Sequence, residues 1–286
     1  MLFRSSWFGA WMAIRWGWAT GFYVLGGLGM LLSVALLGLL AEPQRGAAEA
    51  LISPPEPSGE TARETASLQE TLGDVLRAPL AMLLMLVFVA ANFVATIFLT
   101  WTPTFLVDKF QYDLATAGLN GTIFIHLASA LTVPLMGYVA DRAALRWPLG
   151  RIIPQAAGLL LGSIFVAWVG LADSRFTLII AMTLFGICKG AYDSGIFASL
   201  FDVVPARSRG TAAGLMNTVG WGGGALGPFF TGWFSEHGPY ESRIDNMSAA
   251  ISSCSALYLA SGIVLAMVCW RTVAGRRTGN AADARA

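Results

Sequence analysis

Residues 188–195 read CKGAYDSG and lie inside the apolar run FTLIIAMTLFGICKGAYDSGIFASLF. Lys189 and Asp193 are four residues apart, so on a helix their side chains meet across one turn. An ammonium and a carboxylate placed together among apolar side chains can act as an internal brace. They can equally bind an anionic group, take up a proton, or change partners when a cavity opens. A charge at the centre of a bilayer costs about 2.5–3.5 kcal/mol even on lenient insertion scales, so such a pair faces a bundle interior or a wet cavity.

Positioning these residues is the task of membrane-spanning helices. Hydrophobic residues make up 56% of the 286-residue chain and charged residues only 12%, against about 25% charged in soluble domains. The chain is therefore an integral membrane protein with the lipid bilayer as its solvent. A span needs about 20 apolar residues, and seven stretches provide them: 17–41, 79–106, 114–140, 151–172, 176–203, 209–235 and 248–271. The sequence thus predicts an all-α membrane protein with seven transmembrane helices.

Depth along these spans selects further candidates. Asn92, His126 and Asn217 fall near the midpoints of their segments, level with Lys189 and Asp193. Asn92 is followed by Thr96 and Thr100, and His126 is flanked by Thr122 and Ser129, so each set makes a stripe on one helical face. The segments 151–172 and 248–271 carry no charge at mid-depth and suit a lipid-facing position. Blander roles stand beside the functional one. Asn92 and Asn217 can be interhelical hydrogen-bond glue, and His126 a satisfied core histidine. The shared depth of the five residues favours a substrate or ion site. The 209–235 segment also holds many glycines, which let helices approach closely, either to slide or to pack statically.

One hydrophilic stretch, 42–77, interrupts the spans. Its start, with EPQRG and SPPEPSGETARET, is too polar to fold and reads as a linker. Its end places Leu68, Leu72, Val75 and Leu76 on one face, which predicts a short amphipathic helix on the membrane surface. Twelve arginines lie on the side of the linker, the 141–151 turn, the 204–209 turn and the C-terminal tail, against five basic residues on the other side. That asymmetry makes the linker and tail cytoplasmic, in a plasma (inner) membrane. Residues 2–14 are apolar but too short to span, and resemble the stump of a helix.

Other classes are excluded. A net charge of +1 offers no clustered basic face for nucleic acid. Cys188, Cys254 and Cys269 have neither disulfide-framework nor metal-ligand spacing. No HExxH, P-loop or GxSxG motif is present, so no enzyme and no cofactor is expected. The last span has no lysine for a retinal Schiff base, which argues against a seven-helix photoreceptor.

GYVADRAALR at 137–146 resembles the G-x-x-x-D-R-x-x-x-R signature of the major facilitator superfamily, through Gly137, Asp141, Arg142 and Arg146. Ala144 and Leu145 stand where that family usually carries a glycine. RGTAAGLMNTVGWGGGALGPFFTGW is similar to the family's eleventh helix, and RWGWATGFYVLGGLGMLLSVALLGLLAEPQRG to its fifth-to-sixth helix junction, sixth helix and central loop. The resemblance implies a C-terminal half: residues 1–41 as a remnant of the N-terminal half, 42–77 the cytoplasmic linker, 78–272 a six-helix bundle and 273–286 a cytoplasmic tail. It also implies a cavity lined by the spans that carry Asn92, His126, Lys189, Asp193 and Asn217. Asp141 would sit near the N-terminus of the 209–235 helix and Arg142 would reach Asp202, both contacts locking an inner gate. The expected function is secondary active transport of a small organic solute by alternating access. An organic anion or sugar acid suits Lys189 and His126, and Asp193 and His126 suit proton symport. The chain reads as lacking the first four helices and most of the fifth, so transport expects a partner supplying the missing half. The competing reading is a truncated membrane module that does not transport.

Overall fold

The computed structural model describes residues 15–40, 67–147 and 149–283, together with Met12. The chain divides into two units, Met1–Ala66 and Ser67–Ala286. In the first, α1 (Trp18–Leu39) follows Gly17, whose φ of 87° lies in the left-handed region that glycine enters without strain. The helix-stump reading of 2–14 and most of the linker fall outside the described residues.

The second unit is a helical bundle. It opens with α2 (Leu68–Leu76), where a capping box fixes the start: Ser67 Oγ accepts from the Glu70 N–H, and Glu70 accepts from the Ser67 N–H. The predicted helix is there, but its buried side chains are Thr71 and Val75, while Leu68 and Leu76 are exposed. Pro79 opens α3 (Pro79–Phe110), a first-turn position that needs no N–H. Asp113 caps α4 (Leu114–Arg146) by accepting from the Thr116 N–H. Then follow α5 (Ile152–Leu171), α6 (Arg175–Asp193), α7 (Ile196–Val203), α8 (Arg209–His237), α9 (Arg243–Ser253) and α10 (Ser255–Asp283).

Six helical stretches among the described residues are long and apolar enough to cross a membrane: 18–39, 79–110, 116–146, 152–171, 175–203 and 243–272. This differs from the seven spans read from the sequence. The exception is α8, which forms over Arg209–His237 as expected but whose glycines, threonines and Asn217 lower its hydropathy. The 176–203 segment is two helices, α6 and α7, broken at Ser194–Gly195. The last span starts earlier than 248, at Arg243, and is interrupted at Cys254.

Lipid tails are as apolar as leucine, so helices in a bilayer associate through close packing and hydrogen bonds. Here α8 lies along α3, α4 along α6, and α5 against α6 and α10. Stacked Phe98 and Phe185 rings, 4.7 Å apart, meet Tyr258 at 5.5 Å and join α3, α6 and α10 in one aromatic column. Along 151–172, where a lipid-facing side was expected, the exposed residues form a stripe of Ile153, Ala157, Leu161, Ile164 and Trp168. The rest of α5 is packed inward, and at 56% burial it is the most enclosed span. Apolar sequence does not distinguish lipid from core, which is why the sequence showed only the stripe's side of this helix. At the opposite extreme, α4 is only 22% buried among the spans of this bundle.

Candidate functional site

The site begins with glycines. On α6, an added Cβ at Gly186 would strike the Ile125 carbonyl, and one at Gly190 would lie 2.7 Å from the Ser129 carbonyl and 2.8 Å from the Thr132 Cβ. On α5, Gly158 meets the Cys188 carbonyl in the same way. These contacts press α6 against the backbones of α4 and α5, and they fix the backbone of Lys189 between Cys188 and Gly190.

Lys189 Nζ donates to Asp193 Oδ2 across one helical turn. The side chains are 18% and 34% exposed, so the pair sits at a cavity edge and is not sealed in the core. Directly after Asp193 the helix ends: Ser194 is its C-cap and Gly195, at φ −124° and ψ −6°, precedes α7. A cavity of about 30 Å³ adjoins the pair, lined by Asn92, Lys189, Tyr192, Asp193 and Tyr258 with Phe88, Ala91 and Ala95. His126 is half-buried on α4, within electrostatic reach of both Lys189 and Asp193.

The helix α3 brings Asn92 to this cavity, and α8 holds α3 in place. The Asn92 amide donates to the Phe88 carbonyl at 2.9 Å. Thr96 Oγ1 donates to the Gly224 carbonyl at 2.5 Å, and Trp101 Nε1 to the Pro228 carbonyl at 3.0 Å. Gly220, Gly224 and Gly227 face Phe88, Asn92, Phe93 and Thr96 so closely that added methyl groups would collide or crowd. The glycine-rich helix is therefore packed tightly along α3. Asn217 is not in this cluster. It is exposed on α8 and donates to the Ala213 carbonyl at 3.0 Å.

A second polar cluster stands where α4 leads into α5. Arg151 Nε donates to Asp141 at 3.0 Å, and its Nη1 lies 2.6 and 2.7 Å from the two Asp202 oxygens. Hydrogen bonds to Asp202, then to Asp141, raise the already high pKa of the guanidinium. One arginine thus ties α4, α5 and α7 together. Asp202 is held by Arg151 and not by Arg142, whose guanidinium stacks 5.2 Å from the Tyr138 ring centroid. Arg146 is exposed in the last turn of α4. Gly137 has nothing within 4 Å of a built Cβ, so no neighbour in this bundle demands a glycine there.

Three further features escaped the sequence reading. Gln155 is fully buried and donates to Ser199 Oγ at 2.6 Å and to the Arg151 carbonyl at 3.0 Å, fixing α7 beside the helix break. Tyr192 and Tyr258 are both 1% exposed and line the cavity. The linker helix also docks: Asp74 accepts from Arg207 Nε at 2.9 Å and from Ser208 Oγ at 2.7 Å, and Thr211 donates to Thr71 at 3.0 Å. The Arg207 and Ser208 hydrogen bonds hold the Asp74 carboxyl below its ordinary range.

The model of the Major Facilitator Superfamily matches residues 5–228 and, overlapping, 105–285. The chain belongs to the major facilitator superfamily and is a multi-pass membrane protein. It is 27% identical over 236 residues to a probable chloroplastic anion transporter 1 of Oryza sativa subsp. japonica, covering 79% of this chain and 43% of that one. It is 26% identical over 281 residues to the probable galactarate/D-glucarate transporter GarP of Escherichia coli K12, covering 93% and 60%. Its fold is similar to that of a bacterial homologue of the human lysosomal transporter Spinster, in an inward-facing and unoccupied conformation. The TM-score is 0.58 at 19% identity, over 96% of this chain and 65% of that one. The chain spans about half the length of the curated relatives it matches.

Proposed function

We propose that this bundle is the C-terminal half of a secondary active transporter for small organic anions, with sugar acids such as D-glucarate as the leading class. The observation that carries the reading is Lys189: an ammonium on the central face of the bundle, held by one carboxylate at the edge of a polar cavity. An incoming carboxylate can replace Asp193 as its partner, with Asn92 and His126 as hydrogen-bonding neighbours. Relatives named for anion and galactarate/D-glucarate transport support the substrate class.

In this reading α8 is the seventh span, carried across the bilayer by its packing on α3 in spite of its polarity. The opposite wall of the cavity comes from a second six-helix bundle, whichever polypeptide carries it. The open space beside Gly137 and the exposed side chains of α4 and α8, Asn217 among them, lie on the surface such a bundle covers. Arg151, Asp141 and Asp202 form the cytoplasmic gate, made and broken as the cavity alternates its access. Protonation of Asp193 releases Lys189 to the substrate, which couples uptake to a proton gradient across a plasma membrane.

The test is uptake of radiolabelled D-glucarate into vesicles that contain this bundle with its complementary bundle. Uptake stimulated by an inward proton gradient and abolished by Lys189→Met supports the reading. Absence of uptake for D-glucarate and other dicarboxylates would leave a membrane module without transport.

A further inference from the structure

Away from the ion pair, a groove of about 430 Å³ opens between α3 and α10. That volume lies within the roughly 300–1,000 Å³ of ligand pockets. Leu83, Leu86 and Phe93 line it from α3, and Leu257, Ser261 and Val264 from α10, with valines and alanines between them. Ser261 is the one polar residue of the lining. The groove is open on the outside of the bundle, where Leu86 is 65% and Leu257 39% exposed. It lies on α3 and α10, apart from the α4 and α8 surface assigned above to a complementary bundle.

Its dimensions and its rim select a ligand. From Leu83 to Phe93, α3 rises about 15 Å at 1.5 Å per residue. That is half of the roughly 30 Å hydrocarbon core, so the groove is one leaflet deep. Lys109, near the end of α3, donates to Ser248 Oγ, near the start of the last span. The two spans are therefore antiparallel, and the start of α3 lies level with the later turns of α10. At that end exposed Leu76 is followed by exposed Arg77, and exposed Trp270 by exposed Arg271. Arg77 precedes Leu83 by six residues and Arg271 follows Val264 by seven, so both stand beyond the same end of the groove. A tryptophan beside an arginine at the end of a span marks the level of the lipid headgroups. Neither guanidinium forms an ion pair among the described residues, and Asp74, one turn before Arg77, is engaged by Arg207.

We propose that the groove between α3 and α10 is a binding site for an anionic phospholipid, with one acyl chain along α3 and the phosphate held by Arg77 and Arg271. A guanidinium pairs with two phosphate oxygens at once. Arg77 is the C-cap of α2 and Arg271 belongs to α10, so the headgroup joins the docked linker helix to the last span. A zwitterionic lipid offers the same acyl chain without the net charge, and basic residues at the membrane surface discriminate between the two. The proposal does not depend on the transport reading.

The experiment is native mass spectrometry of the full chain, released from detergent with phosphatidylglycerol or phosphatidylcholine of identical acyl chains. It needs no transported substrate. The expected result is one phosphatidylglycerol per chain, bound roughly twentyfold more tightly than phosphatidylcholine, about fivefold for each arginine. Arg77→Gln and Arg271→Gln, both at exposed positions, should each weaken phosphatidylglycerol binding about fivefold. Ala90→Phe, which fills the groove and keeps both arginines, should lose the bound lipid. Equal binding of the two lipids, or binding unchanged in both arginine variants, overturns the proposal. Binding undiminished in Ala90→Phe overturns the groove as the seat of the acyl chain. A lipid-free dimer that Ala90→Phe dissociates makes the occupant a second copy of the chain and overturns the proposal as well.

Discussion

Arg151 grips Asp202 with one nitrogen, Nη1 lying 2.6 and 2.7 Å from its two carboxylate oxygens, while Nε of the same guanidinium holds Asp141 at 3.0 Å. Two carboxylates from α4 and α7 thus converge on one cation at the start of α5. The guanidinium fork makes this possible, and a lysine would present a single point charge in its place.

Arg151→Lys is expected to slow D-glucarate uptake about tenfold while leaving equilibrium binding within about twofold, the pattern of a lost conformational step. Thermal stability should fall by only about 0–1 kcal/mol, because these charges are partly exposed and screened. Initial rates and equilibrium binding measured on the same vesicles check this. A large loss of affinity with normal turnover would place Arg151 in substrate binding instead.

The glycines of α8 divide into two groups. A methyl group at Gly227 would run into the Phe93 carbonyl of α3, whereas one at Gly214 meets nothing within 4 Å. Gly227→Ala should destabilise the bundle by about 1–3 kcal/mol. Gly214→Ala should stabilise it by up to about 1 kcal/mol, through the smaller loss of backbone entropy. Unfolding midpoints of the two variants in the same detergent decide the matter.

The linker helix α2 owes its seat to Asp74. Hydrogen bonds from Arg207 and Ser208 lower the Asp74 pKa below its ordinary 3.8. A carboxyl with a depressed folded-state pKa adds stability above its unfolded value, and this is lost as pH falls through the lower, folded-state value. Docking of α2 should therefore be unchanged between pH 5 and 8 and weaken only below about pH 4. Asp74→Asn should loosen it above about pH 4 and converge with wild type in stronger acid. Amide exchange across residues 68–76, corrected for its intrinsic pH dependence, reads this directly.

Orientation has its own check. Arginine asymmetry predicts that α2 lies on the cytoplasmic side and the α8–α9 turn outside. In intact cells, an impermeant thiol reagent should label Ser242→Cys and spare Ser67→Cys. The reverse pattern would invert the topology.

Much of this fold was legible in the sequence because lipid imposes strong constraints. Apolar length located six of the seven expected spans, and the spacing of Leu68, Leu72, Val75 and Leu76 marked the helix α2. Lys189 and Asp193 stood out because charge is rare at that depth, and the i,i+4 spacing correctly implied their contact. The cation that holds Asp202 was not legible. Arg142 follows Asp141 by one residue, and one helical step of 100° turns it away, onto Tyr138. Arg151, ten residues on, returns to Asp141 only because the α4–α5 turn folds back, and no periodicity reports such a turn. Tyr192 and Tyr258 were hidden for another reason. In a membrane sequence a tyrosine counts as apolar, and only the packed structure shows both residues lining the cavity with Lys189 and Asp193. The break at Ser194–Gly195 was masked by the apolar residues on both sides of it.

The role of Lys189 is tested most directly by a double-mutant cycle with Asp193. Breaking a fully buried pair costs about 3–5 kcal/mol, and replacing both partners with apolar groups can be neutral. Because Asp193 keeps 34% of its side chain exposed, Lys189→Met and Asp193→Leu should each cost less, about 1–3 kcal/mol. The measurement is thermal stability together with D-glucarate uptake for both singles and the double, in vesicles that also contain the complementary bundle. An anion site predicts that the double variant regains stability and remains inactive. Full uptake by a stable double variant would contradict it and reduce the pair to a brace.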